Sequence, residues 1–276
     1  MMNTHRGKTM RYRVMLGIML TLMSLLAACQ PGGGGITPAP QEVVQWNKDP
    51  YAVVFRAEIV GGDNDDAFYM LNEIPACTVY GDGRVVWIVD GSGAREVLFD
   101  FISPDDMARF VVELGITRKF YDYKEGFPLQ LPTSSKPVYE RLTLENNGVK
   151  YISDSFSGWP FDYYNQSLQL CIAQAKTPRT FEPDGAWISA QEIPYDARIP
   201  SLFWEAEAAG LSFLALAGTQ ERRWLEGALV KILWQAIKDN GFDMQFSEIE
   251  RYYRIALQVP GVTRDAPPAP AAETAP

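Results

Sequence analysis

The stretch "CTVYGDGRVVWIV", Cys77 to Val89, is two runs of β-branched and aromatic residues around Gly81-Asp82-Gly83. Such side chains suit a pleated, half-buried surface, and glycines beside an aspartate supply a tight turn, so the stretch predicts an antiparallel hairpin. Working outward, "YAVVFRAE" (Tyr51 to Glu58) and Arg95 to Phe101 read as flanking strands. "YERLTLENNGVKYIS", Tyr139 to Ser153, is a second hairpin around Asn147-Gly148, where positive φ is tolerated. Between the hairpins lies "SPDDMARFVVELG": Ser103 as N-cap, Pro104 at the first helical position, Asp105 and Asp106 in the first turn, Gly115 at the C-terminal stop. Met107, Phe110, Val111 and Leu114 then share one helical face. A second helix is expected from Asp162 to Lys176, with Leu168, Cys171, Ile172 and Ala175 inward. Strands and helices in this order predict an α+β fold, mainly antiparallel sheets with helices packed on one face.

This body divides into two modules, 51–176 and 177–264, joined at "TPRTFEPDG". In the second, Trp187 to Glu192 reads as a strand and Ser201 to Ala217 as a buried apolar segment. Thr219 is read as the cap of a long helix, Gln220 to Asn240, closed by Gly241, with Leu225, Ala228, Leu229, Ile232 and Ala236 inward. The last strand, "ERYYRIALQV", alternates Tyr253, Ile255, Leu257 and Val259 with Tyr252, Arg254 and Gln258. Residues 265–276, rich in Pro and Ala, are expected to be disordered.

The first fifty residues are of another kind. His5, Arg6, Lys8, Arg11 and Arg13 precede the apolar run Val14 to Ala28, which is too short to span a bilayer comfortably and reads as an export signal. Leu26-Ala27-Ala28-Cys29 resembles the lipobox of bacterial lipoproteins. That resemblance implies residues 1–28 as a lipoprotein signal peptide and Cys29 as a mature N-terminus acylated with palmitate-type chains, the alternative being a secretory signal with a chance cysteine. Buried acyl chains contribute about 0.8 kcal/mol per CH₂, so several of them hold a protein on a membrane. Residues 29–50 follow as a tether, since "QPGGGGITPAPQ" has little to bury and cannot sustain a strand. The block from Tyr51 to Lys176 resembles a group of uncharacterised bacterial envelope domains that carry "TVYGDGRV", an "ISPDDM" helix, "FYDY" and a second hairpin. It implies a fold and brings no activity with it.

Composition narrows the chemistry. The single histidine, His5, lies in the signal, so a processed chain has no imidazole for Ser-His-Asp catalysis, zinc ligation or acid–base work near neutral pH. Losing Arg6, Lys8, Arg11 and Arg13 takes the formal charge from −9 to about −13. An acidic body is a poor partner for nucleic acid, and anionic lipid repels it, which leaves attachment to the lipid anchor. No cofactor is implied.

Three places merit attention as sites. "GGDNDDAF" sets Asp63, Asp65 and Asp66 in a loop, but Phe68 and Ile74 stand where a calcium loop needs Gly and Glu, so an exposed polar loop is the better reading. "FSGWPFDYY" gathers Phe156, Trp159, Phe161, Asp162, Tyr163 and Tyr164, either as a patch for a sugar ring or a partner protein, or as rings plugging a strand-to-helix corner. Cys77 and Cys171 either form a disulfide or serve as small core residues. Together these predict an extracytoplasmic lipoprotein of the cell envelope, lipid-anchored to a membrane, that binds or helps assemble another envelope protein or a glycan without catalysis. The alternatives are a carboxylate-dependent glycan hydrolase and a surface proteinase inhibitor.

Overall fold

The hairpin at Cys77 lies inside the larger of two sheets. The computed structural model describes residues 44–62, 67–90, 95–124, 137–241 and 244–271. Strands β1 (Val53–Gly61), β2 (Cys77–Tyr80), β3 (Arg84–Asp90), β4 (Arg95–Phe101), β5 (Val138–Asn146), β6 (Val149–Asp154) and β7 (Arg179–Thr180) form one antiparallel sheet in the order β6-β5-β1-β2-β3-β4-β7. Asn147 and Gly148 both hold positive φ, +52° and +72°, in the turn between β5 and β6.

Helices α1 (Pro104–Val112) and α2 (Tyr163–Ile172) cover one face of this sheet. Ser103 caps α1, its hydroxyl accepting from Asp106 N at 3.1 Å. Met107, Phe110, Val111 and Leu114 meet Phe55, Ala57, Val79, Leu142 and Leu144 in a buried cluster, with Phe110 edge-on to Phe55 at 5.3 Å. The expected stop at Gly115 is displaced. The chain continues from α1 as a π-turn, Glu113–Thr117, and a Cβ on Gly115 would lie 2.4 Å from the Tyr121 ring. Here glycine serves a close approach and does not end the helix.

The second sheet contains β8 (Gly185–Ile193), β9 (Ser201–Phe203), β10 (Arg223–Glu226), β11 (Gln245–Glu248) and β12 (Arg251–Gln258), in the order β10-β8-β12-β11-β9, with only the β9–β11 pair parallel. Helices α3 (Ala206–Ala209), α4 (Phe213–Thr219) and α5 (Ala228–Asn240) accompany it. Ile188, Tyr253, Ile255 and Leu257 pack with Phe213, Leu233, Trp234 and Ile237, and the same cluster takes in Tyr80, Val86 and Val97 of the first sheet. Helices therefore cover one face of the large sheet and this shared core covers the other.

Two segments differ from expectation. The helix predicted from Gln220 begins at Ala228: Gln220 is left-handed at φ +57°, Arg223–Glu226 pair with β8, and Gly227 turns the chain at φ +75° and ψ −147°, where a side chain is disfavoured. Burial within Ser201–Ala217 is confined to a few residues such as Leu211, Phe213 and Leu216, because β9 is an exposed edge strand.

Both ends of the described body are tied down. At the start, Asn147 N donates to Gln45 O (2.7 Å), Gln45 N to Asn147 Oδ1 (3.1 Å) and Trp46 Nε1 to Gly81 O (3.1 Å), which staples the first residues to both hairpin turns. At the other end, Arg264 inserts between Glu58 and Glu73, and Trp187 Nε1 donates to Pro268 O at 2.9 Å. Much of the Pro/Ala tail, as far as Ala271, is thus described.

Candidate functional site

The second sheet has one interrupted edge. β12 pairs with β8 from Trp187 to Ile193, whereas β10, on the other side, pairs only with Gly185 to Ile188. From Ser189 onward no strand among the described residues pairs with that flank of β8. An open groove of about 750 Å³ follows it, lined by the consecutive residues Ser189, Ala190, Gln191 and Glu192.

Local chemistry holds the walls. Phe68 and Leu71 of the 3-10 turn Phe68–Asn72 supply part of the lining. Buried Asn72 locks that turn to β12: its Nδ2 donates to Ile255 O (2.9 Å) and its Oδ1 accepts from Leu257 N (2.6 Å). Leu214, Ala217 and Gly218 of α4 supply another part. Buried Glu248 fixes the start of α4, accepting from the Ser212 hydroxyl (2.6 Å), Phe213 N (2.6 Å) and Leu214 N (3.2 Å). Trp204 stacks on Phe213 at 4.6 Å behind it. Both walls are preorganised.

Charge in the groove runs against that of the whole chain. The formal net charge is −9, yet the lining carries Arg222 and Arg251 against the single acid Glu192. Glu192 is tied to Arg251 at 3.2 Å, while Arg222 is exposed and has neither ion pair nor hydrogen bond among the described residues. Gly218 adds space. A glycine in a helix costs about 1 kcal/mol relative to alanine, and a Cβ here would meet nothing within 4 Å. Packing of the fold does not demand this glycine. Such a site has free backbone, apolar walls and an available cation, which suits it to holding a chain.

A smaller hollow of about 380 Å³ lies between Ile193, Pro194, Tyr195, Asp196, Arg198 and Arg254. Side-chain hydrogen bonds from Arg198, at 2.7–3.2 Å, lower the Asp196 carboxyl to about 2. These two charges satisfy each other.

The residues singled out from sequence are distributed as follows. Cys29 and Asp63, Asp65 and Asp66 lie outside the described residues. Cys77 and Cys171 are buried and disulfide-bonded, with S–S 1.97 Å and Cα–Cα 6.4 Å, joining β2 to α2. The "FSGWPFDYY" rings divide. Trp159 packs on Tyr163 at 5.5 Å and donates Nε1 to Ser153 Oγ at 2.7 Å, and the buried Tyr163 donates its hydroxyl to Arg118 O at 3.0 Å. Tyr164 is buried too, and burial raises its pKa, with the Glu140, Glu58 and Glu73 carboxylates adding to the shift. Asp162, left-handed at φ +63°, accepts from Asn165 Nδ2 at 2.7 Å. Phe156 is half-exposed beside Tyr139, and Phe161 is 96% exposed. Three of the rings thus plug the corner before α2, and Phe161 faces solvent.

Sequence reasoning missed the groove. Gly218 within an apolar run is its one local trace. No group of three His, Cys, Asp or Glu able to hold a metal occurs among the described residues, and no helix among them is long and apolar enough to cross a membrane. No protein-family model, no curated protein and no solved structure matches the chain.

Proposed function

We propose that this chain is a lipid-anchored envelope protein whose body binds another protein and does not catalyse a reaction. The anchor rests on the signal-like segment ending in Leu26-Ala27-Ala28-Cys29. The binding role rests on one observation: the groove beside Ser189–Glu192, where a strand edge, two apolar walls and Arg222 converge. Its one carboxylate, Glu192, is engaged by Arg251, an arrangement that favours holding a ligand over transferring protons to it. Exposed, extended backbone between fixed walls is a recurrent way of capturing a protein segment.

A photo-crosslinking residue at Gln220 of the full chain in its native membrane tests this, with the same residue at exposed Lys150 as control. The expected result is a discrete adduct with one envelope protein from Gln220 and none from Lys150. Release of sugar from cell-wall glycan by the purified chain, lost in Glu192→Gln, would replace this reading with the hydrolase.

A further inference from the structure

Resting on the binding reading above, we propose that the β8 groove accepts an extended, acidic segment of a partner protein as an added strand beside Ser189–Glu192. Beyond Ile188 this flank of β8 is free of β10, and a free strand edge is a template for another strand. Four residues of edge span about 13 Å, the length of four residues of extended peptide. Side chains of the added strand meet the apolar lining supplied by Phe68, Leu71, Leu214 and Ala217. The missing side chain at Gly218 leaves room for them.

Charge decides which peptide. In an acidic protein, the lining holds two arginines and one glutamate, and the glutamate already neutralises Arg251. Arg222 is left to take a carboxylate. A guanidinium matches a carboxylate through two parallel hydrogen bonds, so an Asp or Glu side chain on the added strand supplies its missing partner.

The test uses the full chain in detergent micelles and capped hexapeptides of alternating valine and glutamate or alternating valine and lysine. The glutamate peptide is expected to bind saturably with a Kd of about 1 mM or tighter, and the lysine peptide at least about tenfold more weakly. Gly218→Leu should weaken binding at least tenfold with the melting temperature unchanged or raised, which separates filling of the groove from loss of fold. Arg222→Glu should reverse the preference between the peptides. Because a strand edge bonds alternate residues, N-methylation of either the odd or the even amides, but not both sets, should abolish binding. Absence of saturable binding, indifference to both substitutions, or equal binding of both methylated peptides would overturn the proposal. So would a dimer of this chain that dissociates on Gly218→Leu, which would give the groove to a second copy. A Gln220 adduct without peptide binding rejects the added strand and keeps the binding function; loss of the adduct as well rejects both.

Discussion

Arg264 Nε lies 3.2 Å from Glu58 Oε2, and both side chains are almost wholly buried. Arg141 reaches Glu58 Oε1 at 2.9 Å and Arg264 also meets Glu73 Oε2 at 2.8 Å, so the charges form an alternating chain across the polar face of β1 and β5. Desolvating these groups is costly, and their mutual attraction offsets that cost. Arg264→Ala removes the central cation and is expected to cost about 3–5 kcal/mol in urea unfolding. A loss below about 1 kcal/mol would mean that water reaches Glu58 and stands in for the arginine.

Reduction of the Cys77–Cys171 bond is expected to lower stability substantially. The bond closes a separation of 94 residues, for which the chain-entropy estimate approaches about 4.7 kcal/mol, with typical measured values of about 2–4 kcal/mol. Thermal unfolding with and without reductant, beside the Cys77→Ala/Cys171→Ala double variant, measures it. Identical midpoints would show that the bridge constrains nothing the core does not already hold.

Asp100 gives the fold an acid-sensitive point. Burial acts to raise its pKa, but the backbone N–H groups of Thr177 (2.8 Å), Phe101 (2.8 Å) and Lys176 (2.7 Å) and the Thr177 hydroxyl outweigh this and hold it below the usual carboxylate range. A depressed folded value means that its stabilisation is fully present above the unfolded pKa of about 3.9 and is lost as pH falls through the folded value. Asp100→Asn should therefore cost about 1–3 kcal/mol near neutrality, and the gap from the parent protein should shrink below about pH 4. A gap constant with pH would remove the carboxylate from the account.

Ile249 and Glu250 turn the chain between β11 and β12 with φ +48° and +61°, a region that costs an ordinary L-residue about 1–2 kcal/mol. A β-branched residue is especially ill suited to it. Ile249→Asn and Glu250→Gly are each expected to stabilise the fold by about 1 kcal/mol, read as a rise in melting temperature. Destabilisation by both would show that the exposed Ile249 side chain has a partner within the fold.

Cys29→Ser tests the anchor independently of the body. It should release the protein from membranes or leave the signal-like segment uncleaved, and the parent N-terminus should carry the mass of acyl chains. Unchanged partitioning with no lipid mass would return Leu26-Ala27-Ala28-Cys29 to chance.

What could be read from sequence was chemistry that acts within a few residues. Asn147-Gly148 and Gly81-Asp82-Gly83 specify their turns, and Ser103-Pro104 starts α1, because each satisfies backbone groups next to itself. The misreadings fall where a distant element decides. Gly115 looked like a helix stop until Tyr121 packed against it, and Gln220–Gly227 continued a helical pattern that β8 overrides by pairing Trp224 with Trp187. The groove leaves little local signature beyond Gly218. It exists because β10 ends at the partner of Ile188 while β12 runs on to that of Ile193, a mismatch between strands far apart in the chain.

The stapling of Gln45 and Trp46 to the two hairpin turns also sets how the body responds to being pulled. A pull applied at Val44 falls first on three hydrogen bonds, and each freed residue lets the chain extend by about 3.4 Å. Next come Pro50 and Ala52, whose carbonyls accept from Arg84 Nη2 (3.0 Å) and Gly81 N (2.9 Å), and then β1, which is held on both sides, by β2 and β5, so its bonds must be sheared together. The sequence of weak peel and strong shear makes the first residues of the body a shock absorber for everything behind them.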